Sequence, residues 1–103
     1  MNKPGYVYIL ASARNGTLYI GVTSNLIQRI HQHREGQVPG FTAKHGVHRL
    51  VYYEVIDQIE VAIAREKAMK KWRRKWKLEL IEKENPDWRD LYPTLTGFPL
   101  SRE

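Results

Sequence analysis

Two stretches near the start of the chain alternate aliphatic residues with polar or aromatic ones. The aliphatic positions are Val7, Ile9 and Ala11 in the first stretch and Leu18, Ile20 and Val22 in the second. A period of two is typical of β-strands. The pair Asn15-Gly16 between them favours a two-residue hairpin turn, which places Tyr8 opposite Thr23. The alternation therefore predicts a hairpin with Tyr8 and Tyr19 on one face and the aliphatic residues on the other.

A helical pattern follows the hairpin over residues 24–34. Ser24 suits an N-cap, and Gly36 suits a C-terminal stop. The apolar stripe is predicted to consist of Leu26, Ile27 and Ile30. Residues 36–46 contain proline and glycine and predict a surface loop, in which Lys44 is placed to contact backbone phosphates. Residues 50–56 are rich in β-forming residues and predict a third strand.

The second half of the chain predicts two more helices. Asp57 and Glu60 resemble a capping box that opens the first of them. Its buried stripe is predicted to hold Ile59, Ala62, Ile63 and Met69. A break within residues 74–77 separates it from a last helix over 78–84, which Asn85-Pro86 ends. The predicted order of elements is thus β-β-α-β-α-α.

Length and composition bound the class of protein. The 103 residues predict one domain over 1–92 with one modest core, followed by a loosely held tail over 93–103. No apolar run approaches the roughly 20 residues of a membrane helix, so we expect a soluble protein with no membrane partner. Cysteine is absent, which excludes disulfides and thiolate metal sites and favours the cytoplasm.

Positive charge is concentrated in residues 65–77. The net charge is +6, and eight of the 17 cations lie in this segment: Arg65, Lys67, Lys70, Lys71, Arg73, Arg74, Lys75 and Lys77. Such a density favours a polyanionic partner, although a solvated helix face is the alternative. Trp72 and Trp76 lie among the cations and could stack on bases or anchor the core.

The hairpin and the helix after it contain four side chains that are able to support catalysis. They are Tyr8, Tyr19, Arg29 and His33. Residues 29 and 33 are four apart, so they lie on one side of their helix. Glu66 lies within an apolar stripe, where a carboxylate is costly unless a cation compensates it. Glu66 is therefore either a metal ligand or the partner of a nearby lysine or arginine.

These residues together resemble a known family. The chain resembles the GIY-YIG nuclease superfamily, and in particular its short single-domain bacterial group, in Tyr6-Val7-Tyr8, Tyr19-Ile20-Gly21, Arg29, His33 and Glu66. The resemblance covers residues 5–91 and includes segments 50–54 and 85–91. One departure is Tyr6 at the leading glycine of the first motif, with Gly5 one place earlier. Asn85 is matched to a late asparagine of the family.

The resemblance implies an α+β fold with a three-stranded antiparallel sheet flanked by helices. It also implies hydrolysis of DNA, or of RNA, assisted by one Mg²⁺ or Mn²⁺ ion. The resemblance implies that Glu66 holds the metal and Arg29 holds the scissile phosphate. Tyr8 would activate the attacking water, and Tyr19 would either share that role or position the water. Tyr8 can act as a base only if neighbouring cations lower its pKa. Gly21 and Asn85 are supporting candidates.

Two other classes remain open from the sequence. A catalytically idle nucleic-acid-binding module would use the basic segment 65–77 alone. An adaptor domain for proteins would explain the fold and the tryptophans but not the cations. The oligomeric state, the substrate structure and the pathway are not set by these residues.

Overall fold

Three antiparallel strands form one sheet in the computed structural model, which describes residues 3–36 and 46–95. The strands are β1 (Gly5–Ala11), β2 (Leu18–Thr23) and β3 (Arg49–Ile56). The spatial order is β2, β1, β3, so β1 is the central strand. The helices within the described residues are α1 (Leu26–Arg34), α2 (Ile59–Lys70), α3 (Arg74–Glu84) and α4 (Tyr92–Leu95). The predicted fold, a small antiparallel sheet flanked by helices, is confirmed.

The hairpin has a longer turn than the sequence predicted. Tyr8 pairs with Gly21 rather than with Thr23, and residues 12–17 form the turn. Ser12 closes this loop, since its backbone N–H donates to the Thr17 carbonyl and its Oγ accepts from the Thr17 N–H. The register differs from the prediction by two residues, and a shift of two leaves every side chain on the same face. The prediction that Tyr8 and Tyr19 share a face is therefore confirmed.

Hydrophobic side chains fill both faces of the sheet, whereas the sequence predicted one core. The first cluster contains Val7, Ile9, Ala11, Ile20, Val51, Tyr52, Ala62, Met69, Ile81 and Trp88. The second cluster contains Tyr8, Leu10, Leu26, Ile30, Val47 and Leu50. Helix α2 covers the first cluster and helix α1 covers the second. The tyrosine face is thus a packed face, because α1 and the residues around α4 cover it.

Helix boundaries differ from the prediction in three places. Asn25, not Ser24, is the N-cap of α1, because its side chain accepts from the Gln28 N–H. No capping box opens α2, whose N-cap is Gln58 without a side-chain hydrogen bond. The break between α2 and α3 lies at residues 71–73 rather than at the predicted 74–77. The sequence could not locate it, because residues 71–73 include no proline or glycine. Two residues of the predicted apolar stripes, Ile27 and Ile63, are exposed.

Asn85 ties the end of α3 to the sheet. Its Nδ2 donates to the carbonyls of Val51 and Arg89, and its Oδ1 accepts from the Arg89 N–H. Trp88 is fully buried at a positive φ of 56° and donates from Nε1 to Glu82. This segment closes over the first cluster. Helix α4 occupies the start of the stretch predicted as a tail, and residues 96–103 lie outside the described part of the chain.

None of the helices formed by residues 3–36 and 46–95 has the length and apolar character needed to cross a bilayer.

Candidate active site

Tyr8 lies at the middle of the sheet and reaches across the edge strand β2. Its ring and hydroxyl lie against Gly21, where an added Cβ would come closer than 3.0 Å to both Oη and Cζ. Only glycine fits beneath the ring, which explains the candidate role of Gly21. Tyr8 is 2% exposed. The phenol is therefore held in one place by its packing.

His33 completes a cluster of three rings around the Tyr8 hydroxyl. The Tyr8 hydroxyl lies 3.1 Å from His33 Nε2 in a buried hydrogen bond. His33 occupies the third position on the buried stripe of α1, after Leu26 and Ile30. The Tyr19 ring centroid lies 5.5 Å from that of His33 and 6.3 Å from that of Tyr8. The hairpin and α1 thus bring the predicted tyrosines and histidine together.

Burial sets the protonation states of this pair. Burial raises the pKa of Tyr8 well above its usual range, and the neighbouring Tyr19 hydroxyl adds to the rise. Burial also lowers the pKa of His33, and the positive charge of Arg29 and the neighbouring His48 lower it further. At neutral pH the pair therefore consists of a neutral phenol and a neutral imidazole, and the tautomer of His33 decides which of the two donates the hydrogen bond. Arg29 lowers the Tyr8 pKa, as the sequence allowed, but desolvation outweighs that effect, so the protein's own side chains do not meet the condition under which Tyr8 would act as a free base.

Arg29 and Glu66 both act on the Tyr8 hydroxyl from a distance. The charge of Arg29 lowers the Tyr8 pKa, and the charge of Glu66 raises it. Arg29 is on α1, on the same face of the sheet as Tyr8. Glu66 is on α2, which packs on the opposite face. The five predicted catalytic side chains are thus divided between two faces of the sheet, and the four others all interact with Tyr8 through a hydrogen bond, a ring contact or their charge.

Glu66 is paired with a lysine. Lys70 Nζ lies 2.6 Å from Glu66 Oε2, one helical turn away, and the side chains are 10% and 52% exposed for Glu66 and Lys70. The pair matches the salt-bridge alternative for Glu66, but its lysine end is open to solvent. A single carboxylate of this kind suits Mg²⁺ or Mn²⁺, which protein sites often hold through one or two carboxylates and several waters. Across residues 3–36 and 46–95, no group of three acidic, histidine or cysteine side chains is placed to hold a metal ion, either at Glu66 or at another position.

A cleft of about 230 Å³ opens beside Tyr19. Strand β2 supplies one wall with Leu18, Tyr19 and Ile20, and the helices supply Lys70 and Lys77 on the other. Two cations thus face a tyrosine of the ring cluster across a groove. Such an arrangement suits a phosphate backbone that runs along the edge strand.

The other cations of residues 65–77 have different roles. Arg65 donates through Nε to Glu54 Oε2 at 2.8 Å, and this carboxylate raises the Arg65 pKa. Arg74 donates to the carbonyls of Asn15 and Gly16, so it fastens the hairpin loop to α3. The exposed cations include Lys67, Lys71, Arg73 and Lys75. Lys44, a predicted phosphate contact, lies outside the described residues.

Two further residues have roles in this environment that the sequence analysis did not assign to them. His48 lies near enough to His33 to lower its pKa, and its Nδ1 is buried without a hydrogen-bond partner. Lys70 was predicted only as one cation among eight, although its spacing of four from Glu66 signals a pair. Asn85, by contrast, uses its side chain on the backbone of β3 and of residue 89.

The site has two tyrosines on one face of the sheet, and the next helix adds an arginine and a histidine. A glutamate lies on the helix that packs on the other face. This combination identifies the class of protein. The GIY-YIG catalytic domain family matches residues 4–79. The chain belongs to the GIY-YIG family, whose domain implies nuclease-type activity on nucleic acid, generally with a divalent metal.

Within that family the chain is similar to UPF0213 proteins. It is 41% identical to a UPF0213 protein of Clostridium perfringens, over 74% of this chain and 81% of that protein. It is 37% identical to a UPF0213 protein of Syntrophus aciditrophicus, over 80% of this chain and 93% of that protein. The solution NMR structure of the UPF0213 protein BH0048 from Bacillus halodurans matches with a TM-score of 0.54 and 28% identity. That match covers 87% of this chain and 95% of the other.

Proposed function

We propose that this protein is a divalent-metal-dependent endonuclease that hydrolyses phosphodiester bonds in DNA, with RNA as a further substrate. We expect it to act in the repair, recombination or processing of nucleic acid structures. One observation carries the proposal most strongly. The Tyr8 hydroxyl lies within hydrogen-bonding distance of a neutral histidine and within the electrostatic reach of Arg29 and Glu66. A purely structural tyrosine has no need of all three partners.

Tyr8 and His33 together can act as a relay for one proton. Ordinary pKa values of 10 and 6.5 already disfavour transfer from phenol to imidazole by about 5 kcal/mol, and burial widens that gap. A free phenolate therefore does not form in the resting site. Instead Tyr8 accepts a proton from the attacking water as it passes its own proton to His33 Nε2. This concerted step keeps Tyr8 near neutrality throughout.

Arg29 and Tyr19 would handle the phosphate and the nucleophile. The planar guanidinium of Arg29 can donate to two phosphate oxygens at once and stabilise the negative charge that develops on them. Tyr19 lines the cleft and contacts the ring cluster, so its hydroxyl is placed to orient the water or to share the role of Tyr8. Lys70 and Lys77 would bind phosphates that flank the cleaved bond.

Glu66 would hold the metal ion. Its carboxylate supplies the oxygen ligand that Mg²⁺ and Mn²⁺ prefer, and Lys70 must give way when the ion is held. When bound, a divalent ion supplies positive charge to the scissile phosphate and to the leaving oxygen. The position of Glu66 across the edge strand from Tyr8 favours a division of labour, with water activation on one side of the phosphate and charge stabilisation on the other.

The proposal is tested with a panel of DNA and RNA substrates: duplex, single strand, nicked and branched forms, each incubated with and without Mg²⁺ or Mn²⁺. Wild type should cleave at least one of them only when metal is present, and Glu66→Gln should not cleave it. Glu60→Gln, an exposed change in the first turn of the same helix, should keep full activity.

Binding without cleavage of any substrate would overturn the proposal in favour of the idle binding module. Cleavage that Glu66→Gln leaves intact would overturn the metal role of Glu66. Absence of salt-sensitive binding to any nucleic acid would favour the adaptor class.

A further inference from the structure

A second groove lies on a different face of α3 from the cleft. It has a volume of about 290 Å³ and is lined by Trp72, Trp76, Glu79, Leu80 and Lys83. We call it the tryptophan groove. Trp76 is 49% exposed, which is unusual for the largest apolar side chain unless a partner uses it. None of the residues that line this groove lines the cleft beside Tyr19.

Helical periodicity separates the two sites. Arg74 and Lys77 are three apart on α3 and face the hairpin loop and the cleft. Trp76, Leu80 and Lys83 are spaced by four and three and form another stripe of the same helix. A nucleic acid that follows the cleft can therefore reach the groove by continuing over the surface of α3, whose diameter with side chains is about 10 to 12 Å.

The aromatic wall of the groove consists of two tryptophan rings in contact. The Trp72 and Trp76 rings meet nearly edge to face, with centroids 6.2 Å apart and an interplanar angle of 77°. Trp72 packs against the first cluster, and the Arg65 guanidinium lies 5.1 Å from its ring centroid. Arg65 is itself held by Glu54. Trp72 is thereby a rigid support against which Trp76 presents its exposed surface.

Cations surround this aromatic wall. The Arg73 guanidinium lies 5.9 Å from the Trp76 ring centroid, and Lys83 lines the groove itself. Exposed Lys75 precedes Trp76 in the chain. An apolar slot with a cationic rim complements a flat aromatic ligand attached to negative charge, and this is the chemistry of a nucleotide in a nucleic acid strand. The carboxylate of Glu79 can accept a hydrogen bond from the amino group of a base.

We propose that the tryptophan groove binds an unpaired nucleobase of the nucleic acid, which stacks on Trp76 while its flanking phosphates contact Arg73 and Lys83. The proposal rests on the proposed function for the identity of the ligand and extends it to a substrate with unpaired nucleotides. A base inside a duplex has both faces covered by its neighbours, so only an unpaired or extruded base presents a free face to the ring.

Binding of two oligonucleotides of equal length and charge tests the proposal. One is an ordinary single strand, and the other carries the same phosphates with abasic sugars. Both are measured in EDTA, so that cleavage does not occur. Wild type should bind the strand with bases about tenfold more tightly or better, with quenched tryptophan fluorescence. Trp76→Ala should lose that preference and leave binding of the abasic strand unchanged.

Three variants make the result specific. Trp76→Phe keeps a stacking surface and should retain most of the preference for bases. Lys83→Gln should weaken both strands to the same degree. Val61 is also half exposed and apolar, but it is on α2 and does not line the groove. Val61→Ala should therefore leave both affinities unchanged.

Equal binding of the two strands by wild type would overturn the proposal, as would an equal loss for both strands in Trp76→Ala. A dimer that Trp76→Ala dissociates in sedimentation would instead assign the groove to a second copy of the chain. These readouts need no metal and no cleavage. A preference for bases at Trp76 in a protein that cleaves nothing would therefore refute the endonuclease proposal and leave the groove standing.

Discussion

Lys70 neutralises Glu66 at the edge of the cleft, with its ammonium 2.6 Å from the carboxylate. The two residues belong to one helix, yet they differ in environment, because the glutamate is nearly buried and the lysine is half exposed. Lys70 also lines the cleft opposite Tyr19. A cation that replaces Lys70 at Glu66 would release the lysine towards bound phosphate. Metal binding and substrate binding would then reinforce each other.

Lys70→Ala should therefore have two opposite effects. Glu66 loses its competing cation, so half-maximal cleavage should require less Mg²⁺ than in wild type. The cleft loses a phosphate contact, so the KM for nucleic acid should rise. Lys67→Ala removes the same charge from the same helix without touching Glu66, and it should leave the Mg²⁺ requirement unchanged. An unchanged Mg²⁺ titration curve in Lys70→Ala would show that the pair does not control access to Glu66.

Glu66→Gln is expected to abolish metal-dependent cleavage with little loss of stability. If the partner of Glu66 were a buried cation, the substitution would cost about 3 to 5 kcal/mol, since a stranded buried cation is expensive. Lys70 is half exposed, so its ammonium stays hydrated when the partner charge is removed. The loss in unfolding free energy should then be below about 1 kcal/mol. Urea unfolding measures it, and a loss of several kcal/mol would show that Glu66 is chiefly structural.

Tyr8→Phe should reduce cleavage by roughly 10² to 10⁴, because the relay loses its first group. The fold should persist at a cost of about 1 kcal/mol, since one buried hydrogen bond is lost. Tyr53→Phe removes a hydroxyl from the same face of the sheet and should leave cleavage unchanged. A Tyr8→Phe enzyme with wild-type kcat would remove Tyr8 from the mechanism.

The pH dependence should reflect a His33 that resists protonation. Burial, Arg29 and His48 lower its pKa, so the imidazole should stay neutral as the pH falls to 6.5. The folded state then binds fewer protons than the unfolded state, and the unfolding free energy should decline as the pH falls below about 6.5. NMR titration of the imidazole should give a midpoint below 6.5. A midpoint above that value would contradict the neutral acceptor proposed for the relay.

The faces of the strands could be predicted because side-chain alternation does not depend on the length of the turn. The actual turn at residues 12–17 is longer than predicted, but Tyr8 and Tyr19 kept their common face. The burial of Tyr8 could not be predicted, because it depends on packing by Leu26 and Ile30 and by partly buried residues near the end of the described chain, such as Leu91. The raised pKa of Tyr8 could not be predicted for the same reason, since a sequence displays neighbouring charges but not desolvation.

Gly21→Ala should disturb the site through Tyr8. The added methyl group would overlap the Tyr8 ring and hydroxyl, and such overpacking costs about 1 to 3 kcal/mol. In a Tyr8→Leu background the ring is absent, so the same change should cost much less. Urea unfolding of the two single variants and the double variant measures the coupling. Additive losses would show that Gly21 does not serve to accommodate Tyr8.

Salt dependence should distinguish the cations that bind phosphate from those that hold the fold. Contact with about four to six phosphates predicts a log–log slope of roughly −4 to −5 on duplex DNA. Exposed Lys71 and Lys75 should each reduce that slope by about one when changed to glutamine. Arg74→Gln should act differently, because Arg74 donates to the carbonyls of Asn15 and Gly16 and its loss should lower stability. Lys3→Gln removes an exposed charge near the opposite end of α2 and should change neither quantity. A slope that survives both Lys71→Gln and Lys75→Gln would show that these two lysines belong to a solvated helix surface.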